Sequence, residues 1–442
     1  MAKCYYVLTS ITLLGFMESG ARAETLVLNN PTELKIQNNG VPSILGANVG
    51  SYFLDGGNPV AGDPTTGPGD SAHAYDFLRF DDLFAGAGPL LPAGATILNA
   101  TLQMTTSTVN NAQTGGAFGV APLLAPFTEA NVYADYTGAG VGYDAGPSFI
   151  NGHVGRPSGG FSGLTAPGTV GTANVTLLVQ QWAANPATAH GFTIGARTTD
   201  GWSVSTVGAP TPEVRPTLQV EYTTVPTTTF RFQQDVGGYS GNTTAQLDDN
   251  GTTTDGATLT NASFLDGTNG VDSRDIQALL KFDNIFGNLP GRIEPEDNIL
   301  RAYLVLTTGN TAESHSGGAF DVHRMLVNWD TTSTYSTFGG DGPTVAQGEI
   351  SGALNTVRGM TQNSRMLFDV TPAVQAWQTG AENFGLNVQS NTTDGWNIFY
   401  SGAGDLAVRP ELIVVTGVPE PGSASLLALA AVGLLGVRRR HR

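Results

Sequence analysis

The sequence predicts an all-β protein: two tandem domains of β-sandwich or jelly-roll type, flanked by a leader and a short C-terminal membrane helix. Three observations carry that prediction. The middle of the chain is written twice at a nearly constant offset. Its composition favours strands and turns, with 58 glycines, abundant Thr and Asn, and lysine only at Lys3, Lys35 and Lys281. Long helical periodicity is absent outside the two termini, whereas short apolar runs closed by Gly, Asn, Asp and Pro recur throughout.

Residues 1–23 open the chain. Lys3 supplies a positive start, Tyr5 to Phe16 is an apolar run too short to span a bilayer, and Ala21-Arg22-Ala23 forms an A-x-A site. That order predicts a signal peptide cleaved after Ala23, with Ala21 and Ala23 as the small residues the peptidase reads. The one cysteine, Cys4, precedes the apolar run. The remainder therefore has no disulfide, thiolate metal site or cysteine nucleophile.

The repeat defines the next two elements. "LRFDDLF" (78–84), "ILNATLQMTT" (97–106) and "GGAFGV" (115–120) return 202 residues later as "LKFDNIF", "ILRAYLVLTT" and "GGAFDV". "VTLLVQQW" (175–182) returns at 195, while "TTDGW" (198–202) and "VRPTL" (214–218) return at 194. The shortening falls in Gly- and Ser-rich sequence between about 133 and 170, where length changes cost little. Two domains follow, 24–223 and 227–417, joined at "TTVPTTT", where Pro226 enforces an extended connection. Either is long enough for its own core.

Within each copy, Ile97, Ala100, Leu102 and Met104, like Leu304 and Leu306, partly alternate with polar neighbours. "TLQVEY" and "ELIVV" are further strands. Asp200-Gly201 and Asp394-Gly395 each lie between two β-patterned runs and predict hairpin turns with glycine at positive φ. Trp182, Trp377, Phe127 and Trp329 sit at matched positions that accept large apolar rings, which predicts core.

The last element, 418–442, reads "VPEPGSASLLALAAVGLLGVRRRHR". Pro419-Glu420-Pro421 is stiff and non-helical. Residues 421–437 as a helix reach about 25 Å against roughly 30 Å of hydrocarbon, a marginal span suited to a temporary anchor. Arg438, Arg439 and Arg440 hold the far end in the cytoplasm.

The net charge is −17, and −21 without the two basic ends. Such a body repels nucleic acid and anionic lipid. No HExxH, G-x-S-x-G, P-loop or Cys/His zinc pattern occurs, and the histidines do not match between copies. They predict surface or loop positions. No cofactor is required. Asp248, Asp249 and Asp255 in "LDDNGTTTDG" offer hard oxygen ligands for Ca²⁺, although Asx beside Gly also forms ordinary turns. Trp202 and Trp396, each beside an acid (Asp200, Asp394), are candidate sugar contacts if their flat faces are exposed.

Two resemblances sharpen these expectations. The tail resembles a PEP-CTERM sorting signal, with V-P-E-P, a short apolar helix and an arginine cluster in order. That resemblance implies export in a Gram-negative bacterium, processing by a membrane-embedded exosortase, transient contact with the membrane through 421–437, and release to or retention at the cell surface. The ordered set "LRFD/LKFD", "ILNATL/ILRAYL", "VQQW/VQAW", "TTDGW", "RPTL/RPEL" resembles a DNRLRE-type domain, a jelly-roll carbohydrate-binding module. It implies a polysaccharide or exopolysaccharide partner and no catalysis. "FRFQQDVGGYSGNTT" (230–244) resembles the opening of such domains; the first copy has "LKIQNNGVPSILG" near 34–46 instead, so a ligand site shaped by the opening would be degenerate there. The resemblance carries no individual contact residues. Two other function classes stand beside it: a structural or adhesive matrix protein without sugar affinity, and a polysaccharide lyase or hydrolase on a β-scaffold.

Overall fold

A computed structural model describes residues 23–37, 43–55, 74–84, 88–132, 135, 153–196, 200–267, 275–311 and 314–417. The fold is mostly strand. The first half contains β1 (Glu24–Leu28), β2 (Thr32–Gln37), β3 (Ile44–Leu45), β4 (Ser51–Asp55), β5 (Ala74–Arg79), β6 (Thr96–Thr105), β7 (Phe118–Pro122), β8 (Gly160–Phe161), β9 (Val170–Asn174), β10 (Phe192–Ala196), β11 (Gly201–Ser205) and β12 (Thr217–Thr223). The second contains β13 (Thr227–Gln233), β14 (Asn242–Asp248), β15 (Thr253–Asp255), β16 (Ser263–Leu265), β17 (Ile276–Phe282), β18 (Asn298–Thr307), β19 (Ser316–Arg324), β20 (Asn355–Met360), β21 (Arg365–Asp369), β22 (Leu386–Ser390), β23 (Trp396–Ile398) and β24 (Glu411–Gly417). Two short helices, α1 (Thr176–Ala184) and α2 (Thr371–Gln378), occupy matching places.

The halves repeat strand for strand. A four-stranded antiparallel sheet has the order β1-β12-β6-β9 in one and β13-β24-β18-β21 in the other. The larger sheet follows β3-β2-β5-β10-β7-β8 and β15-β14-β17-β22-β19-β20, with the pairs β4-β11 and β16-β23 alongside. Each pair of sheets shares one apolar core. In the first half Ala100, Leu102, Met104, Leu218 and Val220 of the small sheet meet Leu78, Val120, Ile194 and Trp202 of the large one. In the second, Leu304, Leu306, Leu412 and Val414 meet Leu280, Val322, Val388 and Trp396.

The large sheets are buried on both faces. Leu34, Ile36, Phe77 and Phe127 form a second cluster behind the first, and Leu247, Leu279, Trp329 and Phe338 its counterpart. Phe127 and Trp329 are buried as the sequence predicts. Because both faces are covered, alternation in these strands does not separate core from solvent.

The partial alternation in "ILNATLQM" has a local cause. The β6–β12 register shifts between Glu221 and Tyr222, whose partners are Asn99 and Ile97. Leu98 is the extra, bulged residue, and Ile97 and Leu98 are both buried. The same shift occurs around Leu300. The "VTLLVQQW" and "VTPAVQAW" segments become short helices that bury Trp182 and Trp377. Thr176 Oγ1 accepts from Ala100 N and Thr371 Oγ1 from Ala302 N, tying each helix start to the central strand of the small sheet.

One expectation is corrected. The Asp-Gly dipeptides are not hairpin turns. β10 pairs with β5 and β7, while β11 pairs with β4, so the two runs never partner each other. Neither Gly201 nor Gly395 has positive φ. The rings of Phe53 and Phe264 on the neighbouring strands lie over these glycines, and a Cβ there would have to displace them. The first copy, which has no "FQxxVGGY" stretch, still has strands at these places. β1 and β2 stand where β13 and β14 stand, but three residues (29–31) join them where eight (234–241) do in the second copy.

The halves dock. β12 and β13 are separated by only Thr224–Pro226. The outer face of the second small sheet carries Tyr303, Val305, Leu367 and Ile413, all 1% exposed, with Leu177 of α1 packed against them. The equivalent outer face of the first half reads Thr101, Gln103, Thr172 and Gln219. Apolar residues therefore occupy the covered copy of this face and polar residues the other copy. Around the apolar centre, Tyr303 Oη donates to the carbonyl of the bulged Leu98 (2.6 Å), Arg301 pairs with Glu221, and Ser162 Oγ donates to Gly317 O (2.7 Å). Gly160 and Gly359 bring β8 and β20 together so closely that a Cβ on either would overlap the other's backbone.

Candidate functional site

The Asp-Gly-Trp of the repeated motif is held in the same way in both halves. Asp200 Oδ2 accepts from Thr114 Oγ1 (2.6 Å), Gly115 N (2.9 Å) and Gly116 N (3.0 Å). Asp394 Oδ2 accepts from Ser316 Oγ (2.8 Å), Gly317 N (2.9 Å) and Gly318 N (3.0 Å). Two repeated motifs thus explain each other: the acid holds the Gly-Gly backbone that precedes "AFGV" or "AFDV". Trp202 and Trp396 are 0% exposed, and each Nε1 donates to a core threonine, Thr106 or Thr308, at 3.0 Å. Phe118 and Phe320 meet these indoles edge-on. The expected sugar platforms are corrected accordingly. Both rings lie inside the apolar cores that the facing sheets share.

The aspartates proposed as calcium ligands do not converge. Asp248 Oδ1 accepts from Asn250 N at the β14–β15 turn, and Asp255 Oδ1 accepts from Ala257 N, capping a single helical turn. Asp249 N bonds to Asp275 O. Among the described residues no three His, Cys, Asp or Glu side chains are grouped to hold a metal. The Asp248 and Asp255 side chains serve turn chemistry. His323, read as a surface or loop residue, is instead buried in β19, with Nδ1 at 2.9 Å from Ser351 O and Nε2 at 3.2 Å from Gln389. Ala21, Pro419, Glu420, Pro421, Arg438, Arg439, Arg440 and the apolar stretch 421–437 lie outside the described residues, and Ala23 is exposed at their edge. Among the described residues no helix is long and apolar enough to cross a membrane.

One cluster escaped the sequence reading. Glu33, Lys35 and Asp76 point into the first half's core beside Tyr52, all at most 8% exposed. Tyr52 Oη donates to Glu33 Oε1 (2.9 Å) and to Asp76 Oδ1, and Glu33 Oε2 accepts from Val207 N (2.6 Å). Burial pushes the Glu33 carboxyl up to about 7, against the bonds from Val207 and Tyr52 that favour its charged form. Burial and the Glu33 charge push Asp76 up as well. The second half has Thr244, Gln246, Ala278 and Ser263 at these places. Alternation in "TELKIQ" would put these charges on a wet face; the doubly covered sheet puts them inside.

Clefts remain as the places where a ligand fits. One, of about 550 Å³, lies beside the opening of the second half, lined by Phe230, Arg231, Tyr239, Asn284, Leu289 and Arg292 among others. The 234–241 loop forms its wall, the loop that the first half lacks. Tyr239 is fixed edge-on against Phe232 and donates to Asp283 O (2.9 Å). Burial raises its hydroxyl above the ordinary tyrosine value, so it stays neutral. A second cleft, of about 360 Å³, runs between the halves, with Asn99, Thr101, Thr172 and Asn174 facing Asn355, Arg358 and Asp369.

No curated protein matches the chain. Its C-terminus does carry a known address: residues 417–442 match the PEP-CTERM protein-sorting motif, which marks the chain for export to the cell envelope and for recognition by an exosortase.

Proposed function

We propose that this is a non-catalytic carbohydrate-binding protein of the cell surface or exopolysaccharide matrix, sorted by an exosortase. The two facing pairs of sheets are read as tandem β-sandwiches of the DNRLRE type, and the bound partner as a polysaccharide. The observation that carries the reading is the cleft beside the 234–241 loop. It joins an aromatic wall, Phe230 and Tyr239, to the hydrogen-bonding groups of Asn284 and Arg292. Apolar ring faces accept the C–H side of a sugar, and directed polar groups its hydroxyls. The first half has no comparable loop, so binding belongs to the second.

The full chain applied to a broad array of polysaccharides tests this. Retention is expected on at least one polymer, reduced about tenfold or more by Arg292→Ala or by replacing 234–241 with the three-residue connection Asn-Asn-Pro of the first half. Absence of retention on every polymer sinks the reading. Release of reducing ends or unsaturated sugars from the array supports catalysis instead. The docked interface favours one second reading, a rigid structural or adhesive spacer, because a spacer needs fixed halves and no ligand.

A further inference from the structure

The halves enclose a cleft of about 550 Å³ whose walls come from both. The first half contributes α1, through Leu177, Leu178 and Gln181, and the segment Gly155–Ser158 with Arg156. The second contributes Arg231 of β13 and Arg365 of β21. Its lining holds three guanidinium groups and no carboxylate. In a chain with 37 acidic and 20 basic residues, that concentration runs against the overall charge.

Among the described residues, one acid pairs with these arginines. Glu411, buried, receives Arg231 Nη1 on Oε1 (2.8 Å) and Arg365 Nη2 on Oε2 (2.6 Å). Arg156 donates to a carbonyl, Ala407 O, at 3.3 Å. Three positive charges thus face one negative. The strain is visible at Arg365: burial lowers its proton affinity, Glu411 opposes that, and the charges of Arg231 and Arg156 lower it further. Its Nε is buried without a hydrogen-bond partner among the described residues. The corresponding positions of the first repeat are Val27 for Arg231 and Val170 for Arg365. The feature belongs to the docked pair, not to either repeat alone.

From this geometry we infer that the cleft between the halves is an anion site, taking the carboxylate or sulfate groups of an acidic polysaccharide. The inference rests on the carbohydrate-binding reading and adds the charge of the sugar and a second, composite place on the chain. Guanidinium forks match planar carboxylates and sulfate oxygens in pairs, and a partly dry site strengthens each contact. Leu177, Leu178, Pro122 and Pro157 supply an apolar wall for the ring. An incoming anion restores the charge balance that Glu411 leaves incomplete.

The test titrates the full chain with oligogalacturonate and with dextran sulfate, beside methyl-esterified oligogalacturonate, neutral dextran, free galacturonate and inorganic sulfate. At least one of the two acidic polymers is expected to bind, more weakly as salt rises. The neutral polymers are expected to lose at least about tenfold, the cost of one charged contact. Arg156→Gln, which removes no ion pair among the described residues, is expected to weaken binding by a similar factor; Arg156→Glu, which reverses that charge, is the second variant and should weaken it further, and unchanged melting temperatures certify both folds. Equal binding of charged and neutral polymers overturns the inference, as does parental affinity in both variants, or binding of neither acidic polymer. Free galacturonate or sulfate binding as tightly as the polymers replaces the polysaccharide with a small anion and overturns it too. Retention of neutral polysaccharides that Arg156→Gln leaves intact, but Arg292→Ala removes, sinks this site while leaving the carbohydrate-binding reading in place.

Discussion

Asp200 and Asp394 each hold a Gly-Gly backbone through two N–H bonds to a single oxygen, which also accepts from Thr114 or Ser316 Oγ. Asp394→Ala is expected to cost about 1–3 kcal/mol in denaturant unfolding, because Gly317 N and Gly318 N are left to find other partners. Trp396→Ala is expected to cost about 3–5 kcal/mol and to loosen the second half, since the ring fills the core. Glu33 gives a pH dependence of known sign. Its carboxyl titrates near 4.5 when unfolded and about 7 when folded. The folded state therefore holds the extra proton between those values, and stability falls as pH rises from about 4.5 to about 7. Asp76 is shifted the same way and adds to the trend. Melting temperatures from pH 5 to 8 should fall in the parent and fall less in Glu33→Gln. A flat parental profile would contradict the burial of this cluster. The sequence disclosed the repeated aspartates but not their task, because the donors lie about 80 residues away.

At the scale of elements, the β character and the place of several strands were legible. The "ILNATL" and "ILRAYL" runs became the central strands of the small sheets, and the bulge explains the residue where alternation fails. That same bulge leaves the Leu98 carbonyl for Tyr303 of the other half. What a period of two cannot report is a sheet covered on both faces, which is why the sequence did not single out Glu33 and Asp76 as buried. Close approach of β8 and β20 depends on glycine at two places. Gly359 has φ +71°, and a Cβ there would overlap Phe161 of the first half. Gly359→Ala is expected to part the halves while each core persists, seen as a larger radius of gyration in solution scattering with unchanged near-ultraviolet dichroism. Gly340→Ala, at φ +102° in open space, carries backbone strain without the collision and should leave the radius unchanged.

At the scale of the whole molecule, docking turns two copies into one body. Leu177→Asp places a charge against Tyr303, Val305, Leu367 and Ile413, and is expected to expose the Thr224–Pro226 connection. Proteolysis there should rise by about tenfold or more over the parent, reflecting the larger population of undocked chains. Equal cleavage of both proteins would mean that the interface contributes little. The sequence by itself determined the duplication, the β character and the C-terminal address, because repetition, composition and a contiguous sorting motif are properties of the chain read in order. The tertiary structure decided the rest: that Trp202 and Trp396 are core, that one copy of the small-sheet face is covered, and that Arg156, Arg231 and Arg365 share a cleft. Burial and charge proximity depend on which face meets which. Residues 156 and 365 are brought together only when two similar halves dock through dissimilar surfaces.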